Sequence, residues 1–249
     1  EATNITVKHK NQIQLDNISF SINEGEILGI VGISGNGQAA LGRLVSGIGE
    51  PTSGELTFFE TKMNGFTPRD CISSGIGRIP EDRNTEGIIG ELNIWENAII
   101  ERLHEPSFSK GGFVRKKSAC AFANDLIKKF DVRGATSETQ ARLLSGGNMQ
   151  KLVLGRALSV SPKLIVANQP TRGLDEGAIA AVHKELLKAR SEGVAILLIS
   201  EELEEAVGLA DRLQAIVKGK LSEPITAENA DATRLGLMMA GVWDTIDET

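Results

Sequence analysis

The sequence is poor in cysteine, has no tyrosine and contains no long apolar run. Its two cysteines, Cys71 and Cys120, are far apart and outside any C-x-x-C spacing, which is typical of a reducing compartment and indicates no metal site. The longest apolar run, Val194 to Ile199, is far shorter than the roughly 20 residues that a membrane-spanning helix needs. Basic residues are in deficit as well, since the formal net charge is −6. We therefore expect no transmembrane segment and no nucleic-acid partner.

The rest of the composition is that of a globular protein. The 249 residues are 41% hydrophobic and 24% charged, so the chain can bury a sizeable core, with room for two lobes. The chain opens on Glu1 rather than on a methionine and enters a strand-like pattern directly. We expect it to be a piece of a longer protein.

Apolar periodicity predicts strands that alternate with helices. The predicted strands are 4–8, 13–20, 26–31, 55–60, 164–167, 194–200 and 213–217, and predicted helices include 38–46 and one that begins after Asp175. Strands as apolar as EILGIV and VAILLIS favour a parallel sheet that is buried on both faces. Such alternation is typical of a mostly parallel α/β fold, whose ligands bind at the carboxyl ends of the strands.

The stretch 91–143 has a helical pattern instead. We therefore predict an α/β core formed by residues 1–90 and 144–249, with a helical subdomain at 91–143. The acidic C-terminal segment VWDTIDET is expected to fray.

A glycine-rich segment, GISGNGQAAL (32–41), lies between a predicted strand and a predicted helix. One interpretation is a dinucleotide-binding turn. Gly35, Gly37 and Ala40 fit the fingerprint G-x-G-x-x-G/A, and Glu60 ends the next predicted strand about twenty residues on.

The other interpretation is a P-loop. Gly32 and Gly37 fit the frame G-x-x-x-x-G-K-[ST], but Gln38 and Ala39 stand where a nucleotide triphosphatase has its lysine and its hydroxyl. Both interpretations predict phosphate binding by backbone N–H groups at the start of a helix.

Four further segments separate the two interpretations. They are LLSGGNMQ (143–150), LIVANQPTRGLD (164–175), RIPEDRNTEG (78–87) and LISEELEEA (198–206). In the first, Ser145 can cap the helix that follows, and two glycines leave N–H groups bare for an anion. The last two, taken alone, fit solvated charged turns. The dinucleotide interpretation explains none of the four.

The order and spacing of these segments resemble the nucleotide-binding domain of ABC transporters over nearly the full chain. LSGGNMQ resembles the ABC signature motif, QPTRGLD the passage from Walker B into the D-loop, RIPEDR the Q-loop, and Ser200–Glu201 the switch region. The resemblance implies a P-loop (RecA-like) α/β fold with a mostly parallel sheet, N-terminal antiparallel strands and an inserted α-helical subdomain. It also implies two facing domains that hold two ATP molecules, each between the P-loop of one domain and the signature motif of the other.

The nucleotide site that the resemblance implies contains unusual residues. The family lysine falls on Gln38, the metal-binding hydroxyl on Ala39, the Walker B aspartate on Asn168, and the adenine-stacking aromatic near His9. The residues expected at the nucleotide are Gly32, Ser34, Gly35, Asn36, Gly37, Gln38, Ala39, Ala40, His9, Glu81 and Asn168.

The positions that carry the catalytic chemistry in the family are replaced too. The glutamate that polarises water falls on Gln169, the switch histidine on Glu201, and the Q-loop glutamine on Glu81. Phosphoryl transfer depends on positioning and on charge compensation around the γ-phosphate, so we expect this site not to hydrolyse ATP. The loop glycines predict weak or Mg²⁺-independent binding of ATP or ADP, without metal ligands from this chain.

The signature segment, in contrast, is intact. The resemblance implies that it completes an ATP site on a partner domain, and that Mg²⁺ is bound only at that partner site. The residues expected to face the partner's ATP are Ser145, Gly146, Gly147, Asn148 and Gln150.

Four short motifs, GNGQ, PEDR, SGGNMQ and QPTRGLD, are similar to those in the second half of tandem ATP-binding proteins of simple-sugar and nucleoside importers. We therefore expect the second nucleotide-binding domain in the same full-length chain, membrane permease subunits as further partners, and a peripheral place on the cytoplasmic side of the cell membrane. The helical subdomain is expected to dock on the permease.

Two other functions remain open from the sequence. One is a structural or regulatory dimerisation module that binds no nucleotide, which the lost lysine and the missing adenine-stacking aromatic favour. The other is a dinucleotide-dependent oxidoreductase of the Rossmann type. Nucleotide that copurifies with the protein distinguishes the first from an ATP-binding domain, and a cofactor absorbance band identifies the second.

Overall fold

The computed structural model describes residues 1–10, 12–63 and 65–243. Of the acidic tail 242–249 that is predicted to fray, residues 244–249 lie outside these ranges. Val242 N–H donates to Leu237 O at 3.0 Å, and Trp243 Nε1 donates to Met238 O at 2.8 Å. The strands are β1 (Ala2–His9), β2 (Gln12–Phe20), β3 (Ile27–Val31), β4 (Ser53–Phe58), β5 (Thr61–Lys62), β6 (Ile76–Ile79), β7 (Ser109–Lys110), β8 (Phe113–Val114), β9 (Leu164–Asn168), β10 (Ala195–Ser200), β11 (Arg212–Val217), β12 (Lys220–Leu221) and β13 (Ile225–Thr226). The α-helices are α1 (Gln38–Val45), α2 (Pro68–Ser73), α3 (Ile94–Ile99), α4 (Lys116–Lys129), α5 (Gly146–Leu158), α6 (Glu176–Ser191), α7 (Leu203–Leu209) and α8 (Ala232–Met239).

The larger sheet has the strand order β12-β11-β3-β10-β9-β6, with β13 paired to β11. Its centre is parallel, because β3 pairs in parallel with β11 and β10, and β10 pairs in parallel with β9. Strands β3, β9 and β10 are buried at every residue, which explains why their sequences are apolar throughout rather than alternating. The predicted mostly parallel α/β sheet is confirmed.

The smaller sheet is antiparallel and has the order β2-β1-β4-β5. Its core-facing side chains include Ile5, Leu15 and Ile18, which are buried and contribute to the same hydrophobic cluster as β3 and α1. Their partners on the other face are mostly exposed, as the partial alternation of the sequence predicts. The N-terminal antiparallel strands are therefore confirmed.

Contacts between residues divide the described chain into two compact units. The first contains Glu1–Arg78, Lys163–Gln169 and Leu186 onward, and the second contains Ile79–Pro162 and Pro170–Glu185. The second unit is thus larger than the stretch 91–143 that the sequence distinguishes, because α5 and the first part of α6 pack within it. Within the residues that the structure describes, no helix is long and apolar enough to cross a bilayer.

The stretch 91–143 contains a short hairpin that the sequence analysis does not predict. Strands β7 and β8 pair across Gly111 and Gly112, which both have positive φ angles, 59° and 83°. A two-residue loop that requires left-handed backbone at both positions favours glycine, so the SKGGF segment carried this signal. The predicted helices on either side are present as α3 and α4.

The expected strand 55–60 ends earlier, at Phe58. Phe59 and Glu60 have φ angles of 44° and 63°, so the backbone turns there towards β5. Helix α2 is absent from the sequence analysis although its start carries a clear signal. Thr67 and Asp70 form a reciprocal capping box, and Pro68 occupies the first helical turn.

The thiol of Cys71 gives a prediction about chemical reactivity. Burial in α2, together with the neighbouring charge of Asp70, raises the pKa of Cys71 to about 11. At pH 8 we expect a thiol reagent to label half-buried Cys120 before Cys71, and to label Cys71 about 100-fold more slowly in the folded protein than in urea, because the thiolate is the reactive form. Timed labelling with mass spectrometry on the variants Cys71→Ser and Cys120→Ser assigns the two rates. Equal rates in the folded protein contradict the prediction, and both thiols should react alike in urea.

Candidate functional site

The glycine-rich loop connects the buried strand β3 to helix α1, as both interpretations require. Gly35 and Gly37 have φ angles of 84° and 122°, which side chains rarely adopt. A Cβ on Gly37 would also lie 2.8 Å from the carbonyl oxygen of Gln14 and 3.0 Å from Cδ1 of Ile216. The loop therefore needs glycine at this position for packing as well as for conformation.

The side chain of Gln38 lies across this loop and is only 4% exposed. Its Nε2 donates to the carbonyl oxygen of Ile33 at 2.9 Å, and its Oε1 accepts from the N–H of Asn36 at 3.0 Å. The amide thus satisfies one donor and one acceptor of the loop backbone. The N–H of Asn36 is therefore already bonded within the loop, and a phosphate that used this group would have to displace Gln38.

Asn36 fixes the same loop from the other side. Its Nδ2 donates to Ile33 O at 2.8 Å, and its Oδ1 accepts from the N–H of Lys218 at 2.7 Å. The backbone oxygen of Asn36 accepts from the N–H of Gly219 at 2.8 Å. The loop is therefore bound to the turn between β11 and β12 without any ligand.

Three strand ends come together beside the loop. In the parallel register Asn168 of β9 pairs with Ile199 of β10, and Ser200 pairs with Val31 of β3. Asn168 is 9% exposed, and its Oδ1 is buried without a hydrogen-bond partner. The end of β9 therefore presents a neutral amide beside the loop rather than a carboxylate.

Gln169 and Glu201 follow these strand ends. Gln169 is buried, has a φ angle of 50°, and donates its backbone N–H to Ile199 O at 2.8 Å. Glu201 is half-buried and follows Ser200, whose hydroxyl donates to the buried carboxylate of Glu205 at 2.7 Å. The end of β9 is thus followed by a neutral amide, and the end of β10 by a carboxylate.

The other expected nucleotide contacts lie in different surroundings. Ser34 and Ala39 are exposed in the loop and at the start of α1, whereas Ala40 and Gly32 are buried. A Cβ on Gly32 would lie 2.6 Å from the carbonyl oxygen of Ile216, so this glycine too is required for packing. His9 is exposed at the end of β1, where it pairs with Gln12.

The signature segment belongs to the second unit, at the start of α5. Ser145 is exposed, and its hydroxyl accepts from the N–H of Asn148 at 3.4 Å, so the predicted helix cap is confirmed. Gly146 and Gly147 are half-buried. This helix start presents backbone N–H groups and the positive end of the helix dipole to an anion.

The other two signature residues use their side chains inside the unit. The Asn148 amide accepts from the N–H of Arg133 at 3.0 Å and donates to its carbonyl oxygen at 3.3 Å. Gln150 is buried and donates to Pro170 O at 2.6 Å. Like the Ser145 hydroxyl, these two side chains therefore have hydrogen-bond partners within their own chain.

Glu81, at the Q-loop position, forms an ion pair with Arg172 in the same unit. Arg83 follows in a π-helical turn, Arg83–Gly87, that Asp82 caps. Hydrogen bonds from Thr85 and Asn84 hold the pKa of Asp82 below its ordinary value. Sequence reasoning did not select either arginine, although the charged runs RIPEDR and PTRGLD were the signal available.

The dinucleotide interpretation is wrong on structural grounds. It requires the strand that precedes Glu60 to lie beside β3 in a parallel sheet. That strand, β4, belongs to the antiparallel sheet, and Glu60 follows it in a left-handed turn with a φ angle of 63°.

The family model for ABC transporters matches residues 15–172, from β2 through the signature segment to the turn after β9. The chain belongs to the ABC transporter family. Among curated relatives of this ABC domain, the guanosine import ATP-binding protein NupO of Bacillus subtilis is 41% identical over 238 residues, which are 95% of this chain and 47% of the relative. The glucose import ATP-binding protein TsgD13 of Haloferax volcanii is 39% identical over 98% of this chain and 45% of its own length.

Solved structures of ABC cassettes share the fold. A nucleotide-free ATP-binding cassette from an ABC transporter has a TM-score of 0.78 at 21% identity, covering 96% of this chain and 94% of that chain. A dimeric post-hydrolysis cassette, MJ0796 bound to ADP and Pi, has a TM-score of 0.77 at 22% identity, covering 91% and 97%. The ABC domain described here spans about half the length of the curated relatives that it matches.

Proposed function

We propose that this ABC domain is the non-hydrolytic ATP-binding half of an importer. Its own P-loop site binds ATP or ADP weakly and without Mg²⁺, and its signature segment completes the catalytic site of a second nucleotide-binding domain. The observation that carries the proposal is the buried Gln38 amide, which bridges Asn36 N–H and Ile33 O where the family has lysine.

The charge balance of the site supports this proposal. Gln38, Asn168 and Gln169 replace one cation and two anions of the family pattern by neutral amides of similar shape. A hydrogen bond to a charged group is worth about 1.5–3 kcal/mol, so losing the lysine alone weakens phosphate binding by about one to two orders of magnitude. Without the hydroxyl at Ala39 and a carboxylate at position 168, the chain offers Mg²⁺ no charged ligand there.

The signature segment supports the second part of the proposal. Ser145 is exposed, and Gly146 and Gly147 at the start of α5 leave backbone N–H groups for the γ-phosphate of a partner's ATP. Mg²⁺ then acts at the partner's P-loop site only. The partner domain is proposed to lie in the same full-length chain, because the relatives are about twice as long as this domain.

The transported solute is proposed from the names of the relatives. These are import ATP-binding proteins for guanosine, for glucose and for ribose. We infer a simple sugar or a nucleoside as the solute, membrane permease subunits as partners, and a peripheral place on the cytoplasmic face of the cell membrane. The helical stretch 91–143 is the proposed docking region for the permease.

Calorimetric titration with ATP and ADP, with and without Mg²⁺, tests the proposal for the P-loop site. We expect a dissociation constant near millimolar that changes less than about threefold when Mg²⁺ is removed, since no charged group of this chain holds the metal. Ala39→Ser serves as a matched control, because one hydroxyl without the Walker B carboxylate should not create Mg²⁺ dependence.

Two results contradict this proposal. Micromolar, Mg²⁺-dependent binding or sustained ATP turnover by the domain shows that the site is competent. No binding at millimolar nucleotide instead favours a structural or regulatory dimerisation module, which the internal hydrogen bonds of Asn36 and Gln38 also suit.

A further inference from the structure

The segment Pro170–Gly173, which follows β9, is held by groups from two other parts of the second unit. Gln150 of α5 donates to Pro170 O at 2.6 Å. Arg83 donates through Nη1 to Arg172 O at 2.7 Å, and Glu81 pairs with the Arg172 side chain. The backbone of this segment is therefore fixed by residues that are distant in sequence.

The Arg83 guanidinium lies between this segment and the signature turn, residues 145–147 at the start of α5. Its Nη2 is 3.5 Å from Gly173 O. A Cβ built on Gly146 would lie 3.0 Å from the same Nη2 and 3.7 Å from Cζ. The guanidinium thus packs directly against Gly146 while it binds the carbonyl of Arg172, and its Nε is buried without a hydrogen-bond partner.

We propose that Arg83 is a positioning residue that couples the segment Pro170–Gly173 to the signature turn Ser145–Gly147. The proposal rests on the proposed function, because it concerns how this half aligns its signature turn with a partner's ATP. Any shift of the signature turn must move the guanidinium, and with it the carbonyls of Arg172 and Gly173.

Arginine suits this role because of its shape. The planar guanidinium presents two donors in a fixed fork and can pack its edge against a glycine. Lysine keeps the charge but has a single ammonium on a flexible stem, so it cannot hold the carbonyl and fill the space beside Gly146 together. The same packing means that a methyl group at position 146 would press on Nη2, so the guanidinium would have to shift.

ATP hydrolysis by the full-length importer, with its permease in lipid vesicles, tests the coupling. We expect Arg83→Lys to lower kcat about tenfold with little change in KM, the effect of losing one or two charge-assisted hydrogen bonds that align the reacting groups. The melting temperature of the domain should stay near that of the wild type. Arg133→Lys is the matched control, because the Arg133 side chain is 78% exposed and pairs only with Asp131 among the contacts described for it.

A double variant separates positioning from general damage. Gly146→Ala should lower kcat because its methyl group displaces the guanidinium, and Arg83→Lys combined with Gly146→Ala should lower kcat no further than the worse single change. Additive losses, unchanged hydrolysis in Arg83→Lys, or a loss of kcat matched by a loss of folding overturn the proposal.

Comparing Ser145→Ala with Arg83→Lys distinguishes an error in the Arg83 role from an error in the signature role. If Ser145→Ala abolishes hydrolysis while Arg83→Lys does not change it, the signature role stands and the Arg83 role is wrong. If Ser145→Ala leaves hydrolysis intact, the signature role itself is wrong and the Arg83 proposal fails with it.

Discussion

Replacing Ser145 by alanine in the full-length importer is expected to lower ATP hydrolysis about 100-fold or more, the usual effect of removing one donor to a developing oxyanion. Ser145 is exposed at the start of α5, where its hydroxyl caps the helix. Replacing Gln38 by alanine should change hydrolysis less than about threefold, because a site that does no chemistry contributes no transition-state contact. The measurement is steady-state ATP hydrolysis with saturating solute.

The control for Ser145 separates helix capping from contact with ATP. Ser145 also accepts from Asn148 N–H, and losing a cap costs about 1 kcal/mol of stability. Ser145→Asn keeps a good N-cap but replaces the hydroxyl, so it should retain the melting temperature and still lose activity. The opposite order, with Gln38 variants inactive and Ser145 variants active, contradicts the asymmetric scheme.

Replacing Gly37 by alanine is expected to destabilise the domain by about 2–5 kcal/mol, the sum of backbone strain and overpacking. Gly37 has a φ angle of 122°, and an added Cβ would lie 2.8 Å from Gln14 O and 3.1 Å from Cδ2 of Leu15. The free energy of unfolding in urea, measured on the domain without ligand, gives the value.

Gly35 is the matched control for Gly37. It also has a positive φ angle, 84°, but nothing lies within 4 Å of an added Cβ. Gly35→Ala should therefore cost only about 1 kcal/mol, the strain of an L residue in this conformation. Equal losses for the two variants would show that conformation alone explains the requirement for glycine.

The glycines of the loop have a packing role that is independent of any ligand. Gly32 packs against Ile216, and Gly37 packs against Ile216 and the backbone of β2, so both glycines are required whether or not phosphate binds. Of the three loop glycines, Gly35 alone has no atom within 4 Å of an added Cβ. The glycines by themselves therefore give little support to nucleotide binding. Binding depends instead on the backbone N–H groups of the loop that Gln38 and Asn36 leave free for a phosphate.

Apolar periodicity determined most of the architecture from sequence. Strands β3, β9 and β10 are buried at every residue, so their uninterrupted apolar runs identified a parallel sheet. Local sequence signals were also sufficient to predict the starts of α5 and α6. Ser145 caps α5, and the Asp175 carboxylate accepts from Ala178 N–H at the start of α6. The hairpin β7–β8 and helix α2 had equally local signals in Gly111–Gly112 and in Thr67–Asp70, which the sequence analysis did not use.

Only the tertiary structure decided how the unusual site residues are used. A glutamine at position 38 can donate to phosphate or to its own loop, and the sequence does not distinguish these because both need the same amide. The folded loop brings Ile33 O and Asn36 N–H within hydrogen-bond distance of that amide, so Gln38 satisfies the backbone itself. In the same way, the fold brings Gln150 to Pro170 O and Arg83 to Arg172 O. These hydrogen bonds join residues that are 20 and 89 positions apart, so the sequence pattern does not show them. The sequence by itself thus determined the family and the sheet, because these depend on local pattern, whereas hydrogen-bond partners distant in the chain depend on the completed fold.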